Sequence, residues 1–152
     1  MNIPKPLRQG ACVGLIGPGS PITQEQRLRC RQKLEEMGFS VVFGEHLQKD
    51  ENLYGYLAGS AMDRASDLNN MFADSRIEAV FCTRGGYGST QLLPYLDYEC
   101  IRENPKVFVG YSDITALHTV FQRYCQMVTY HGPMVKSDFL WEGKNGSAEA
   151  YV

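Results

Sequence analysis

Apolar positions along the chain fall into two alternating patterns. Short continuous apolar runs occupy residues 11–16 (ACVGLI), 39–43 (FSVVF), 77–82 (IEAVFC), 107–109 (VFV) and 127–130 (MVTY), and each has the length of a strand. Between them the spacing becomes helical. Residues 23–37 carry Cys30, Leu34 and Met37 at i, i+4 and i+7, and Gly38 supplies a left-handed stop. Ser60 is placed to cap a second helix, with Asp63 as the partner of a capping-box analogue. Ala61, Ala65, Leu68 and Phe72 then follow at i, i+4, i+7 and i+11, the clearest amphipathic stripe in the sequence. Residues 112–125 place Ile114, Leu117, Phe121 and Cys125 on one face. A short helix is expected after the glycines at 85–88, to about Leu93, while 94–104 shows no clear pattern. Residues 46–59 read as a polar loop rich in tyrosine and glycine.

Strands that are continuously apolar and alternate with helices predict a parallel sheet covered on both faces. The expected fold is therefore α/β: a doubly wound, mostly parallel five-stranded sheet of Rossmann-like or flavodoxin-like type. In such sheets ligands bind at the carboxyl ends of the strands. Those ends carry Gly17-Pro18-Gly19-Ser20-Pro21, the segment after Phe43, Arg84 to Gly88, Gly110 to Asp113, and His131 to Pro133. After Met134 the pattern fades, and residues 136–152 read as a linker or exit segment.

Composition narrows the class of partner. The chain has 152 residues, enough for one domain, with 43% hydrophobic and 21% charged residues. A balance of 15 Lys+Arg against 17 Asp+Glu gives no basic surface for nucleic acid. No apolar run approaches the roughly 20 residues of a membrane span. The run after Lys5 and Arg8 reads as a first strand rather than a signal peptide. The five cysteines Cys12, Cys30, Cys82, Cys100 and Cys125 lack C-x-x-C spacing. They read as free thiols in a reducing cytoplasm, with no zinc site.

Two segments could carry chemistry. In the first, a buried strand runs through Gly110-Tyr111-Ser112-Asp113 directly into a helix. A serine on such a turn stands exposed at the positive end of the helix dipole, and the next amide points where an oxyanion would form. That is nucleophile-elbow geometry, without the second glycine of the usual motif because Ile114 stands there. The same residues also fit a plain helix N-cap at Ser112. In the second, Thr83-Arg84-Gly85-Gly86-Tyr87-Gly88-Ser89 leaves backbone amides unshielded, as in an anion nest, or simply makes a tight turn. The Gly17-Pro18-Gly19 segment lacks the third glycine of a dinucleotide fingerprint, which argues against NAD or FAD. Of the three histidines, His46 has no link to Ser112 and His118 lies about 240° around the helix from it. His131 is the one local candidate for a base, and it equally fits a packing or turn-stabilising role.

GYSDIT at 110–115, TRGGYGS at 83–89, YHGPM at 130–134, GPGSP at 17–21, and LAGS at 57–60 followed by Arg64 and Asp67-Leu68 together resemble the LD-carboxypeptidase family. This family contains the murein tetrapeptide carboxypeptidases and the microcin-immunity peptidases. The resemblance spans roughly residues 8–140. It implies a serine peptidase with a Ser-Glu-His triad, working without metal or cofactor in the bacterial cytoplasm. The reaction implied is release of the terminal D-alanine from cell-wall tetrapeptides during murein recycling. On this likeness Ser112 matches the nucleophile, and the backbone N–H groups of Gly86 and Asp113 match the oxyanion hole. The family's Glu and His lie in a C-terminal domain, for which nothing after Met134 can substitute. The expectation is therefore a nucleophile domain at 1–140 and an exit segment at 141–152 leading toward a missing domain. Such a piece, whether an excised domain, a truncated product or a proteolytic fragment, is expected to be inactive alone. The expected partners are a murein tetrapeptide or related peptide and the missing C-terminal domain, with a homodimer left open. A flavodoxin-type module binding a small anion or nucleotide, with Ser112 as a mere cap, is the alternative.

Overall fold

Four of the apolar runs and the end of the fifth assemble into one sheet, whose central strands bury side chains on both faces. The structure, a computed structural model, describes residues 1–48 and 55–140. The strands are β1 (Cys12–Ile16), β2 (Ser40–Phe43), β3 (Ala79–Cys82), β4 (Val107–Gly110) and β5 (Tyr130–His131). They lie in the order β2-β1-β3-β4-β5, and every pairing is parallel. The register places Leu15 beside Phe43 and Phe81, Phe81 beside Val109, and Gly110 beside His131. The chain steps from β1 outward to β2 and then crosses back to β3, so the winding reverses between β1 and β3. A crevice opens at such a reversal, above the carboxyl ends of the strands.

Helices cover both faces. On one, α2 (Ala61–Ala73), α3 (Tyr98–Glu103) and α4 (Thr115–Cys125) bury Leu68, Phe72, Ile101, Leu117 and Phe121 against Val80 and Phe108. Phe108 and Phe121 meet edge to face with centroids 4.9 Å apart. On the other, α1 (Gln24–Glu36) and a π-helical turn (Val135–Phe139) pack Cys30, Leu34 and Phe139 onto Val13, Leu15, Phe81 and Val109. Truncating one of the buried phenylalanines to alanine costs about 3–5 kcal/mol.

The helix boundaries follow local chemistry. Thr23 opens α1 with a full capping box to Gln26 (3.1 and 3.0 Å), and Gly38 at φ +92° follows its end. Ser60 caps α2 by accepting from the Asp63 amide at 3.0 Å. The capping-box analogue is incomplete, because the Asp63 carboxylate meets His46 Nε2 at 3.2 Å instead. At the other end of α2, the buried Lys106 ammonium donates to the carbonyls of Met71 and Asp74. A cation there satisfies orphan carbonyls and complements the helix dipole.

Four expectations need correction. The fifth strand forms at Tyr130–His131 rather than over 127–130. Met127 is fully buried and bridges Asn2 instead, so its apolarity reports core rather than strand. The unpatterned segment 94–104 contains α3, capped by Asp97 on the Cys100 amide. The expected helix at 112–125 begins as a 3₁₀ turn (Ser112–Ile114) before α4. Val135 and Phe139 are buried, so the expected linker at 136–152 begins as packed structure. The exit segment proper, residues 141–152, lies outside the described residues.

Candidate functional site

β4 ends in the buried Gly110, where a side chain would run into Ile114. The absence of one lets the chain fold back directly onto its own helix. Tyr111 is extended (φ −151°, ψ −173°), and the next residue, Ser112, reverses to φ +61°. Positive φ costs an ordinary side chain about 1–2 kcal/mol, and observed outliers of this kind cluster at functional sites. Among the described residues, the threonine and serine N-caps Thr23 and Ser60 look different. Thr23 (φ −74°) and Ser60 (φ −64°) are both extended and accept an amide hydrogen bond. Ser112 is exposed, and no side-chain capping bond forms at its turn. It therefore lacks the geometry of a helix cap and stands on a strained strand-to-helix turn.

The glycine segment after β3 lies against this turn. A methyl group on Gly85 would lie 3.3 Å from Ser112 Cβ and 3.5 Å from both Ser112 Oγ and the Asp113 amide nitrogen. The bare backbone of Gly85 thus leaves a small space shared by the serine hydroxyl and the Asp113 N–H. Gly86 has φ +116°, and a side chain there would collide with Ser20. The Gly85 carbonyl accepts from Ser20 N–H at 3.1 Å. The peptide is trans, so the Gly86 N–H points the opposite way from that carbonyl. Among the described residues no hydrogen bond occupies the Gly86 N–H.

Three loops are tied together around this point. Asp113 Oδ2 accepts from Ser89 N at 2.9 Å and from Ser89 Oγ at 2.7 Å. Arg64 is 2% exposed, and its guanidinium donates to the carbonyls of Pro18, Gly59 and Gly88 and to Gln91 Oε1. Burial pulls its pKa down, and the Asp113 charge works against that.

The histidines do not complete the site. His46 sits after β2, with β1 and β3 between it and β4. Its Nδ1 meets the buried Asp67 at 2.7 Å. His118 is turned back onto the Gly110 carbonyl, 2.8 Å from Nε2, and burial lowers its pKa. His131 is exposed on β5, its ring 6.0 Å from Tyr111 and 6.2 Å from His118. Among the described residues no hydrogen bond joins it to Ser112. No cluster of three His, Cys, Asp or Glu side chains suited to a metal occurs among the described residues. None of their helices is long and apolar enough to cross a membrane. The five cysteines are free, with Cys30, Cys82 and Cys125 buried.

An elbow serine beside a glycine-rich strand exit, on a parallel sheet wound in this order, has close counterparts among known proteins. The profile of the LD-carboxypeptidase N-terminal domain matches residues 13–132. The chain belongs to the LD-carboxypeptidase family. It is 42% identical over 135 residues to the probable murein peptide carboxypeptidase of Bacillus subtilis, covering 89% of this chain and 41% of that protein. Against the murein tetrapeptide carboxypeptidase of Pseudomonas aeruginosa the identity is 39%, over 80% of this chain and 39% of the relative. Among solved structures, MccF in complex with glutamyl sulfamoyl guanosine superposes with a TM-score of 0.85 at 30% identity, covering 93% of this chain and 42% of that one. An MccF-like protein from Bacillus anthracis gives 0.82 at 38% identity, covering 90% and 42%. The chain thus spans about two-fifths of the length of the relatives it matches.

Several residues around the elbow were missed by sequence reasoning. A side chain at Gly85 would meet Ser112, whereas one at Gly86 would meet Ser20. Arg64 stands out in the sequence only as part of the resemblance; its place beside Ala61, Ala65 and Leu68 on the apolar stripe could have shown that it is buried. Nothing in the sequence pairs Ser89 with Asp113.

Proposed function

We propose that this chain is the nucleophile-bearing part of a serine carboxypeptidase acting on murein tetrapeptides in the cytoplasm. The reading is carried by one observation: Ser112, at φ +61° and exposed, facing the bare backbone of Gly85. In this reading Ser112 Oγ attacks the carbonyl of the residue before the terminal D-alanine. The hydroxyl proton passes to a base. The carbonyl oxygen becomes an oxyanion held by the Asp113 and Gly86 N–H groups. Collapse breaks the C–N bond, and the base returns the proton to the departing D-alanine amine. Water then hydrolyses the acyl-enzyme by the same route.

A free serine hydroxyl is a poor nucleophile at neutral pH, so a positioned base is needed. His131 sits against Tyr111 and His118, which supports a packing role. The base and its acidic partner are assigned to a C-terminal domain of the kind the longer relatives have room for. The 152-residue chain alone is then expected to fold without turning over substrate. The test is D-alanine release from an L,D-linked tetrapeptide. It is run with the chain alone and with the chain mixed with the separately expressed remainder of the Bacillus subtilis relative. Release in the mixture only, abolished by Ser112→Ala, supports the proposal. Release that survives Ser112→Ala, or release by the chain alone that is lost in His131→Ala, refutes the assignment.

A further inference from the structure

The Gly88–Ser89 peptide bond is held at both ends. Its carbonyl oxygen, on Gly88, accepts from Arg64 Nη1 at 3.0 Å. Its N–H, on Ser89, donates to Asp113 Oδ2 at 2.9 Å, and the Ser89 hydroxyl adds a second bond to the same oxygen at 2.7 Å. Both partners are charged, and such hydrogen bonds are roughly twice as strong as neutral ones. Gly88 itself is at φ +119°, a conformation open to glycine and strained for other residues. Arg64 and Asp113 also reach beyond this peptide. Arg64 holds the Pro18 carbonyl in the loop after β1. Any side chain at Gly19 would come within 3.0 Å of the Asp113 carboxylate and 2.9 Å of the Gly85 carbonyl. Asp113 follows Ser112 directly, so its carboxylate links the elbow to the far end of the glycine segment.

We propose that Arg64 and Asp113 are positioning residues that clamp the Gly88–Ser89 peptide from its two ends and thereby aim the Gly85–Gly86 backbone at Ser112. A rotation of that peptide would turn the glycine segment over, withdrawing the Gly86 N–H from the space beside Ser112. The clamp deepens the serine-peptidase reading and rests on it for its catalytic meaning, while its structural content stands alone. It explains why an arginine with no carboxylate in direct contact is buried at this point: its donors are distributed over three loop carbonyls that must keep one geometry.

The experiment uses the ¹⁵N-labelled 152-residue chain and its variants Arg64→Lys, Asp113→Asn and Ser89→Ala. Loss of a charged hydrogen bond of this strength speeds Ser89 amide exchange in Asp113→Asn by about tenfold or more. The Gly85 and Gly86 amide resonances are expected to move in Asp113→Asn and Arg64→Lys, and less far in Ser89→Ala. If Arg64→Lys does not fold, the other two variants decide. Faster exchange at Ser89 with Gly85 and Gly86 resonances unchanged overturns the clamp. A second arm reads D-alanine release in the mixture described above. There kcat is expected to fall about 100-fold with KM within twofold, as for a lost oxyanion donor. Wild-type kcat in these variants also overturns the clamp. Absence of release by the wild-type mixture refutes the peptidase reading, while the spectra still decide the clamp.

Discussion

Adding one methyl group to Gly85 separates the site's chemistry from its stability. In Gly85→Ala the methyl lies 3.3 Å from Ser112 Cβ and 3.5 Å from Ser112 Oγ and Asp113 N. These contacts are a few tenths of an ångström inside the optimum at worst, and the exposed serine can yield. Gly85 is not among the glycines with positive φ, so alanine meets no backbone strain. The lower entropy of the unfolded alanine chain adds about 0.4–1 kcal/mol in the other direction. The net change in stability should stay within about 1 kcal/mol, or about 2–4 °C in melting temperature at this size. Catalysis should respond far more. The methyl occupies the space between the Ser112 hydroxyl and the Asp113 N–H that the proposed mechanism gives to the substrate carbonyl oxygen. Displacing that oxygen from a donor costs about 10²–10³ in kcat. Gly86→Ala behaves differently. Its φ of +116° and the collision with Ser20 destabilise the fold by at least about 1–2 kcal/mol. Thermal melting and D-alanine release by the reconstituted mixture measure both quantities. If Gly85→Ala keeps kcat within severalfold, or melts as low as Gly86→Ala, the placement of the oxyanion beside Gly85 is wrong.

Three other substitutions or conditions follow from the same geometry. Because Ser112 is at φ +61°, Ser112→Gly should be more stable than Ser112→Ala by about 1 kcal/mol, both being inactive; denaturant titration that ranks alanine higher would show the turn is unstrained. Burial lowers the His118 pKa below its ordinary 6.5, with the hydrogen bond to Gly110 opposing and nearby His131 assisting. The unfolded chain then binds more protons between the lowered value and 6.5, so stability rises with pH through that window, and His118→Gln should remove that part of the rise in melting temperature. Burial pushes the Cys30 thiol up to about 12 and Cys125 up to about 11, and raises Cys82 as well. A thiol reagent at neutral pH should modify only the half-buried Cys12 and Cys100 in the native chain and all five after unfolding; fast native labelling of Cys30 would contradict the packing.

What was legible in the sequence was whatever repeats along an element. The apolar runs marked the first four strands in order and met the fifth only at Tyr130, because a parallel strand buried on both faces needs continuous apolar residues and the exposed edge strand does not. The stripe through Ala65, Leu68 and Phe72 marked α2, and Gly38 marked the end of α1. Errors arose where one residue served a contact outside its own element. Met127 is apolar for the core beside Asn2, not for β5. Tyr98 to Glu103 has too few residues for periodicity to register. Asp63, at the right spacing for a capping box, is taken by His46 from another loop. The candidate site was visible as two glycine-rich exits, since Gly, Ser and a following helix have local meaning. Which glycine faces Ser112 depends on how two loops meet, and no single loop encodes that.

The buried cations show the same limit and explain how these loops are held. Arg27, Arg64 and Lys106 are 6%, 2% and 6% exposed, in positions where composition alone would put them in water. Each donates to backbone carbonyls: Arg27 to Leu47, Lys106 to Met71 and Asp74, and Arg64 to Pro18, Gly59 and Gly88. A parallel sheet sends every strand into a loop at the same edge, and those loops carry carbonyls that no ladder or helix can satisfy. Water could serve them at the surface, but not beneath packed loops. A long side chain with several donors is the remaining solution, and an arginine fork can serve more than one loop at once. Lys106 secures a helix end, and Arg27 holds the Leu47 carbonyl. Arg64 reaches Pro18, Gly59 and Gly88 at once, and the glycine segment it holds lies against Ser112. Replacing Arg64 by methionine would take the donor from the buried Pro18 carbonyl and the half-buried Gly59 carbonyl, while the Gly88 carbonyl keeps the Gln91 N–H; at about 1–3 kcal/mol for a buried group left unpaired, the loss should appear as a drop in stability as well as in the ordering of the glycine segment.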